Sequence, residues 1–250
     1  LRAGWSVPIP PHSILPKIHE TVRVRPRCLQ WLATTCLVIL AGCWLPGRDP
    51  SAAALSRLAA PGPDRDRLES EVLAALNRAR TDPREFSRQI SALLPHYTGL
   101  LLQRPTASAV ERTIEGRSAA IEAIAFLRAA PPLPPVTIDT GLSRAARDHA
   151  LDQSRTGATG HVGSDGSTFT DRANRHGTWT GVISESIEYG PDLSGLDVVE
   201  NLIIDDGVPD RGHRRDLLDR AVHVAGVACA PHPTYGKVCV IELASAFKDK

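Results

Sequence analysis

Residues 160–167 read Gly-His-Val-Gly-Ser-Asp-Gly-Ser, and this glycine-rich stretch is the most informative part of the chain. Glycines at this density indicate a loop. Ser167 or Thr168 then predicts the N-cap of a short helix that ends at Gly177. The loop places His161 in a turn rather than in the core, which makes its imidazole a candidate for binding chemistry.

The segment downstream, residues 182–189, predicts a β-strand. The alternation of a strand puts Glu185 on one face together with Ile183 and Ile187. A carboxylate on an apolar face is costly to bury unless it is protonated, hydrogen-bonded or metal-bound. Glu185 is therefore a candidate site residue. The alternative is a structural carboxylate that holds a loop by accepting backbone N–H bonds.

A second histidine, His213, begins a short helix after a longer one that ends with Asp205 and Asp206. Together with His161 and a half-buried Glu185, these residues are the polar set that could converge on a metal ion. Zinc accepts imidazole and carboxylate ligands. No His-Glu-x-x-His and no paired Cys-x-x-Cys motif forces the ligands together, so the metal site is a hypothesis.

The first half of the domain is predicted to be helical, because its apolar residues recur at helical spacing. The predicted helices cover residues 66–81, 83–94, 121–127 and 141–155, with a loop over 95–114. Asp82 can cap the second helix, with Glu85 at its third position. His149 lies on the apolar stripe of the last helix and is interpreted as a core histidine without a catalytic role.

The N-terminal segment has the layout of a signal peptide. Arginines precede a mostly apolar run over residues 28–41, which leads into Leu-Ala-Gly-Cys ending at Cys43. This ending resembles the lipobox at which bacterial lipoproteins are cleaved and acylated, which predicts a lipid on Cys43. The alternative, a transmembrane anchor, needs about 20 apolar residues, and this run is shorter.

These patterns divide the chain into three parts. Residues 1–42 are predicted to be a leader, residues 43–65 a tether, and residues 66–250 one domain. Residues 1–21 fit no signal peptide, and the chain contains no methionine, which suggests a start assigned upstream of a non-standard initiator. The predicted location is extracytoplasmic, either anchored in the cell envelope by lipid or secreted.

The cysteines agree with export. Removal of the leader takes Cys28 and Cys36 with it, and a lipid would occupy Cys43. Cys229 and Cys239 remain, in two β-prone runs that flank turn-forming proline and glycine. A hairpin would place them opposite each other, within reach of a disulfide. The alternative is a pair of reduced core thiols.

Composition limits the class of partner. The chain has 250 residues, 42% of them hydrophobic, and a formal net charge of +1 with acids and bases interspersed. This length supports one domain with appendages. The charge pattern offers no basic face, so nucleic acid is not an expected partner.

The order of these motifs resembles bacterial proteins of the CAP superfamily, also called SCP-like proteins, which are relatives of plant pathogenesis-related and cysteine-rich secretory proteins. The motifs are the loop 160–167, Arg172, Gly177, Ser-Glu-Ser-Ile at 184–187, Gly-His-Arg at 212–214, Leu217-Leu218 and Gly226-Val227. The likeness covers about residues 68–247, with the specific motifs within 160–247. It implies an α+β fold, a three-layer α-β-α sandwich.

The resemblance also implies a cleft lined by two histidines and two acids. His161, Glu185 and His213 map directly onto it. The second acid maps onto Asp205, which is shorter than the usual glutamate, and Ser186 stands where asparagine is usual. Members of the family are exported and bind varied partners, including lipids, and no general enzymatic activity is established for them.

Two functions from different classes follow. The first is an exported, membrane-tethered, non-catalytic binding module whose cleft holds a lipid, a peptide or an envelope component. The alternative is a zinc-dependent, peptidase-like hydrolase, in which both histidines and one acid hold the metal and the other acid is the general base. A nucleophilic Ser164 or Ser167 paired with His161 is a weaker option, because turn and capping roles explain both serines.

Overall fold

The computed structural model describes residues 19–23, 63–105, 107–191 and 193–250. The predicted signal sequence and Cys43 lie outside these residues, as does all but the end of the predicted tether. Among the described residues, no helix is both long enough and apolar enough to cross a membrane.

The helices of the described residues follow the predicted order. They are α1 (Pro63–Thr81), α2 (Pro83–Leu93), α3 (Arg117–Ala129), α4 (Thr140–Thr156), α5 (Phe169–His176), α6 (Gly195–Ile204) and α7 (Gly212–Leu217), with a 3₁₀ turn at Leu94–His96. Helix α1 thus begins three residues before the predicted start at residue 66.

The strands belong to two sheets. They are β1 (His19–Arg23), β2 (Tyr97–Thr98), β3 (Leu101–Leu102), β4 (Glu111–Arg112), β5 (Thr137–Ile138), β6 (Gly177–Gly190), β7 (Val224–His232) and β8 (Gly236–Asp249). The large sheet has the order β1-β6-β8-β7-β5, and the small one has the order β2-β3-β4. In the large sheet β5 pairs in parallel with β7, and the other described pairs are antiparallel.

Helices cover both faces of the large sheet. One core joins α1, α2, α3 and α6 to one face of β7 and β8. On the opposite face, α4 and α5 pack against β6, β7 and β8. These layers make the α+β, three-layer α-β-α sandwich that the resemblance implies.

Strand β6 alternates between the two helical layers as predicted. Ile183 and Ile187 pack with α4 and α5, while Glu188 accepts a hydrogen bond from Asn201 of α6. Because helices cover both faces, Glu185 is fully buried, and the expectation of a half-buried glutamate is wrong.

Side-chain caps define several helix starts among the described residues. Asp82 accepts the backbone N–H of Glu85, as predicted. Between the two predicted caps of the short helix α5, the structure selects Thr168, which forms a reciprocal capping box with Asp171. Ser194 forms the corresponding box at the start of α6.

The hairpin of β7 and β8 confirms the predicted disulfide. Cys229 and Cys239 are directly opposite in the antiparallel register, and a disulfide joins them. The alternative of two reduced core thiols is therefore wrong. The bond lies in the core shared by α1 and the sheet.

Two further parts of the chain differ from prediction. Strand β6 begins at Gly177 rather than Val182, because a register irregularity between Thr180 and Ile183 lets the pairing with β8 continue past a left-handed Gly181. The region 95–114, predicted as a loop, contains the three short strands of the small sheet. Strands of two residues leave too little alternation to be recognised from sequence.

Candidate functional site

The first functional pair lies where the glycine-rich loop meets strand β6. Nδ1 of His161 is 2.7 Å from Oε1 of Glu185, and both side chains are buried. Glu185 sits in a strand paired on both sides, with β1 and with β8. A carboxylate on such a rigid element fixes the orientation of the imidazole that it binds.

Arg172 of α5 joins the loop to this strand. Its guanidinium donates to Oε2 of Glu185 at 2.8 Å and to the carbonyl oxygen of His161 at 3.0 Å. It also donates to the carbonyl oxygen of Ser167 at 2.9 Å, and its side chain is buried. Arg172 belongs to the sequence motifs, but its pairing with Glu185 comes from tertiary contact and was not predicted.

These contacts stabilise the ionised form of Glu185. Burial alone raises the pKa of a carboxyl group. Here the hydrogen bond from His161 and the electrostatic interaction with Arg172 outweigh burial and hold the pKa of Glu185 well below its ordinary value. Glu185 is therefore a carboxylate at neutral pH.

His161 is itself buried, with 5% of its surface exposed. The expectation that it lies outside the core is wrong, because Arg172 ties the loop down onto the sheet. Its Nε2 is also buried, and no group of the described residues hydrogen-bonds to it. Since ionised Glu185 accepts the Nδ1 hydrogen, Nε2 is the ring nitrogen left to hydrogen-bond a ligand.

The second pair joins the end of α6 to the start of α7. Nδ1 of His213 is 2.7 Å from Oδ1 of Asp205, and both residues are fully buried. Asp205 caps α6 in the left-handed conformation, with φ of 57°, which aspartate tolerates better than most residues. Its Oδ2 accepts the backbone N–H of Arg214 at 3.2 Å. The shorter acid therefore still reaches its histidine.

Asp206 binds different groups from its neighbour Asp205. Its two carboxylate oxygens accept the backbone N–H groups of Ile114 and Glu115, at 2.6 and 2.8 Å. Glu115 in turn accepts the backbone N–H of Gly207 at 2.8 Å. Asp206 thus anchors the segment before α3 to the end of α6.

Both pairs lie near strand β6, because α7 packs against β6 and against β1. However, both oxygens of Glu185 and both oxygens of Asp205 already accept hydrogen bonds. Among the described residues, no group of three or more His, Cys, Asp or Glu side chains is placed to hold a metal ion. The four residues therefore do not form the three-ligand set of a catalytic zinc centre. The two acids orient the imidazoles.

His149 is buried in the core, as its position on the apolar stripe indicates. Its Nε2 lies 2.7 Å from the carbonyl oxygen of Gly160 and 4.0 Å from Oε1 of Glu185. It therefore borders the first pair, a proximity that helical spacing does not reveal.

Glu242 of β8 is a further buried acid beside the first pair. It is the cross-strand partner of Glu185 and is fully buried. It alternates with Val240 and Ala244, which face α4 and α5. The alternation that singled out Glu185 could therefore have identified Glu242 as well.

A family model matches the part of the chain that carries this site. Residues 121–243 match the model of the CAP family, described as the cysteine-rich secretory protein family. Among curated proteins, no sequence matches significantly.

Two solved bacterial structures are similar to part of the chain. An extracellular protein containing an SCP domain from Bacillus anthracis is 20% identical, with a TM-score of 0.37 over 50% of this chain and 38% of that protein. An outer surface protein from Borrelia burgdorferi is 18% identical, with a TM-score of 0.38 over 47% of this chain and 80% of that one. This chain thus spans well under half of the Bacillus protein.

Proposed function

This chain carries a CAP domain, the domain of the cysteine-rich secretory protein family, and on that premise we propose that it is a binding module tethered outside the cytoplasm. Its ligand would be a lipid, a peptide or another envelope component. The binding site would be the cleft next to strand β6, between the His161–Glu185 and His213–Asp205 pairs.

The buried Nε2 of His161 is the observation that carries this proposal. Glu185 binds Nδ1 of the ring and is itself bound by Arg172. Nε2 of His161, by contrast, has no hydrogen-bond partner among the described residues. A buried polar atom normally has a hydrogen-bond partner, so an orphaned one calls for an explanation. A ligand group that hydrogen-bonds with Nε2 would satisfy it.

The second pair supports the same role. Asp205 holds Nδ1 of His213 just as Glu185 holds Nδ1 of His161. Two imidazoles with their Nδ1 atoms fixed are pre-oriented, so little side-chain entropy is lost when a ligand binds.

The extracytoplasmic location is supported by the disulfide between Cys229 and Cys239. Disulfides persist in oxidising compartments and are rare in the reducing cytosol. The predicted leader and the lipobox-like ending at Cys43 point the same way.

Removal of the predicted leader would also affect the cleft. Cleavage before Cys43 would separate β1 (His19–Arg23) from the domain. The backbone of β6 over Val182–Ser186, which pairs with β1, would then form a free sheet edge beside both histidine pairs. Free strand edges accept extended backbones.

The zinc-dependent hydrolase has no comparable support. It needs a carboxylate with an oxygen available for a ligand or for proton transfer. The oxygens of Glu185 and Asp205 are already engaged by histidine, arginine and backbone donors.

Mass spectrometry of the native protein tests the proposal. Full-length protein is purified from its own envelope, and the co-purifying small molecules are compared for wild type, His161→Ala and the control His223→Ala. His223 is an exposed histidine outside the cleft. We expect one class of molecule to be enriched on the wild type and the control and lost from His161→Ala. Equal recovery from all three proteins would contradict the proposal.

A further inference from the structure

A separate cavity of about 440 Å³ opens between α4, the glycine-rich loop and α5. Neither His161 nor Glu185 lines it, but His149 and Arg172, which lie next to Glu185, do. Its volume lies within the range of small-molecule pockets.

Two buried side chains that line this cavity have unsatisfied nitrogens. His149 is fully buried and Arg172 is 2% exposed. Within the described part of the chain, no group hydrogen-bonds to Nδ1 of His149 or to Nε of Arg172. Buried polar atoms without partners are uncommon in native proteins, and here two occur along one cavity.

The two nitrogens differ in hydrogen-bonding capacity. Nε2 of His149 lies 2.7 Å from the carbonyl oxygen of Gly160, an acceptor, and 2.9 Å from the side-chain nitrogen of Gln153, a donor, so these contacts suit either tautomer. Burial lowers the pKa of His149, which keeps the ring neutral. Nδ1 of His149 therefore accepts in one tautomer and donates in the other, whereas Nε of Arg172 is always a donor.

The rim of the cavity is charged but already paired. Arg155 is 2.6 Å from Oδ1 of Asp152, and Arg175 is 2.8 Å from Oδ2 of Asp165. Asp152 also accepts the backbone N–H of Ser164 at 2.7 Å. A charged ligand would have to compete with these internal pairs, whereas an uncharged ligand would not.

We propose that this cavity binds an uncharged, hydroxyl-rich ligand, namely a saccharide. A hydroxyl group can both donate and accept, so it suits Nδ1 of His149 in either tautomer as well as the donor on Arg172. The paired carboxylates and guanidinium groups of the rim offer further acceptors and donors for neighbouring hydroxyls. The cavity adjoins the His161–Glu185 pair through His149 and Arg172, but the proposal does not depend on which ligand the His161 cleft binds.

Binding to an array of oligosaccharides tests the proposal. The array carries uncharged and anionic oligosaccharides together with capped, uncharged dipeptides, and the probe is the purified full-length protein. We expect binding to uncharged oligosaccharides. Absence of binding across the array, or binding confined to the anionic sugars or to the dipeptides, would overturn the proposal.

A pair of variants on α4 locates the site. Ser154 is partly exposed and lines the cavity, so Ser154→Phe should fill it without disturbing the buried residues. Thr156→Phe adds the same side chain at an exposed position of the same helix that does not line the cavity. We expect Ser154→Phe to weaken saccharide binding by at least roughly tenfold, or about 1.4 kcal/mol, and Thr156→Phe to leave it unchanged. Equal binding by both variants would place the sugar elsewhere and refute the assignment.

Discussion

Glu185 and Glu242 are direct cross-strand partners in the antiparallel pair of β6 and β8, and both are fully buried. Glu185 is bound by His161 and Arg172, whereas neither carboxylate oxygen of Glu242 has a donor among the residues that the structure describes. Two adjacent carboxylates cannot both stay ionised in such surroundings. Burial and the charge of Glu185 raise the pKa of Glu242 well above its ordinary value. Protonated Glu242 can then donate a hydrogen bond to Glu185.

Replacing Glu242 with glutamine should make the stability of the protein less dependent on pH. In the unfolded chain Glu242 loses its proton near pH 4.3, but in the folded chain it keeps the proton to a higher pH. The folded state then binds more protons, so wild-type stability falls as pH rises through this interval. The effect is about 1.4 kcal/mol for each unit by which the pKa is raised.

Urea unfolding at pH 5 and pH 8 measures this effect. The amide of Glu242→Gln can still donate to Glu185 but carries no titratable proton. We expect the variant to gain stability relative to wild type between pH 5 and pH 8. The exposed Glu85→Gln is the control, with no such gain expected. The same wild-type-to-variant difference at both pH values would show that Glu242 does not hold a proton.

Removing the guanidinium of Arg172 should destabilise the fold strongly. Arg172→Ala leaves the buried carboxylate of Glu185 without its cation, and breaking a buried pair from one side costs about 3–5 kcal/mol. Arg175 lies on the same helix as Arg172 and forms an exposed ion pair with Asp165. Arg175→Ala should therefore change the free energy of unfolding little. Chemical denaturation compares the two. Similar losses would mean that the clamp on Glu185 adds no special stability.

Loss of the disulfide should lower stability. The double variant Cys229→Ala/Cys239→Ala should unfold with a free energy about 2–3 kcal/mol lower than wild type, on the loop-entropy model. Reductant should lower wild-type stability by a similar amount and leave the double variant unaffected. If reductant lowers the stability of both proteins equally, its effect does not come from the Cys229–Cys239 disulfide.

Cys43→Ser should release the protein from the membrane. The lipobox-like sequence before Cys43 predicts acylation there, which supplies the anchor. Labelling cells with a fatty-acid analogue should mark the wild type and leave Cys43→Ser unmarked, with Cys36→Ser as the control that keeps its label. Equal labelling of wild type and Cys43→Ser would rule out lipidation at this residue.

Much of the fold was predictable because its signals are local. Asp82 caps α2 through a residue only three positions away, and the alternation of residues along β6 puts Glu185 on one buried face. Turn-forming residues between two β-prone runs were enough to pair Cys229 with Cys239. Rules of this kind depend on spacing along the chain, so the sequence by itself determined them.

Tertiary structure alone decided how the site is assembled. Arg172 reaches Glu185 from another element, Glu242 meets it from the next strand, and Asp206 turns away to bind the backbone at residues 114–115. The burial of His161 also came from packing, since a glycine-rich loop looks exposed in sequence. Contacts between distant elements depend on how helices and sheet pack together, and no local periodicity encodes that geometry.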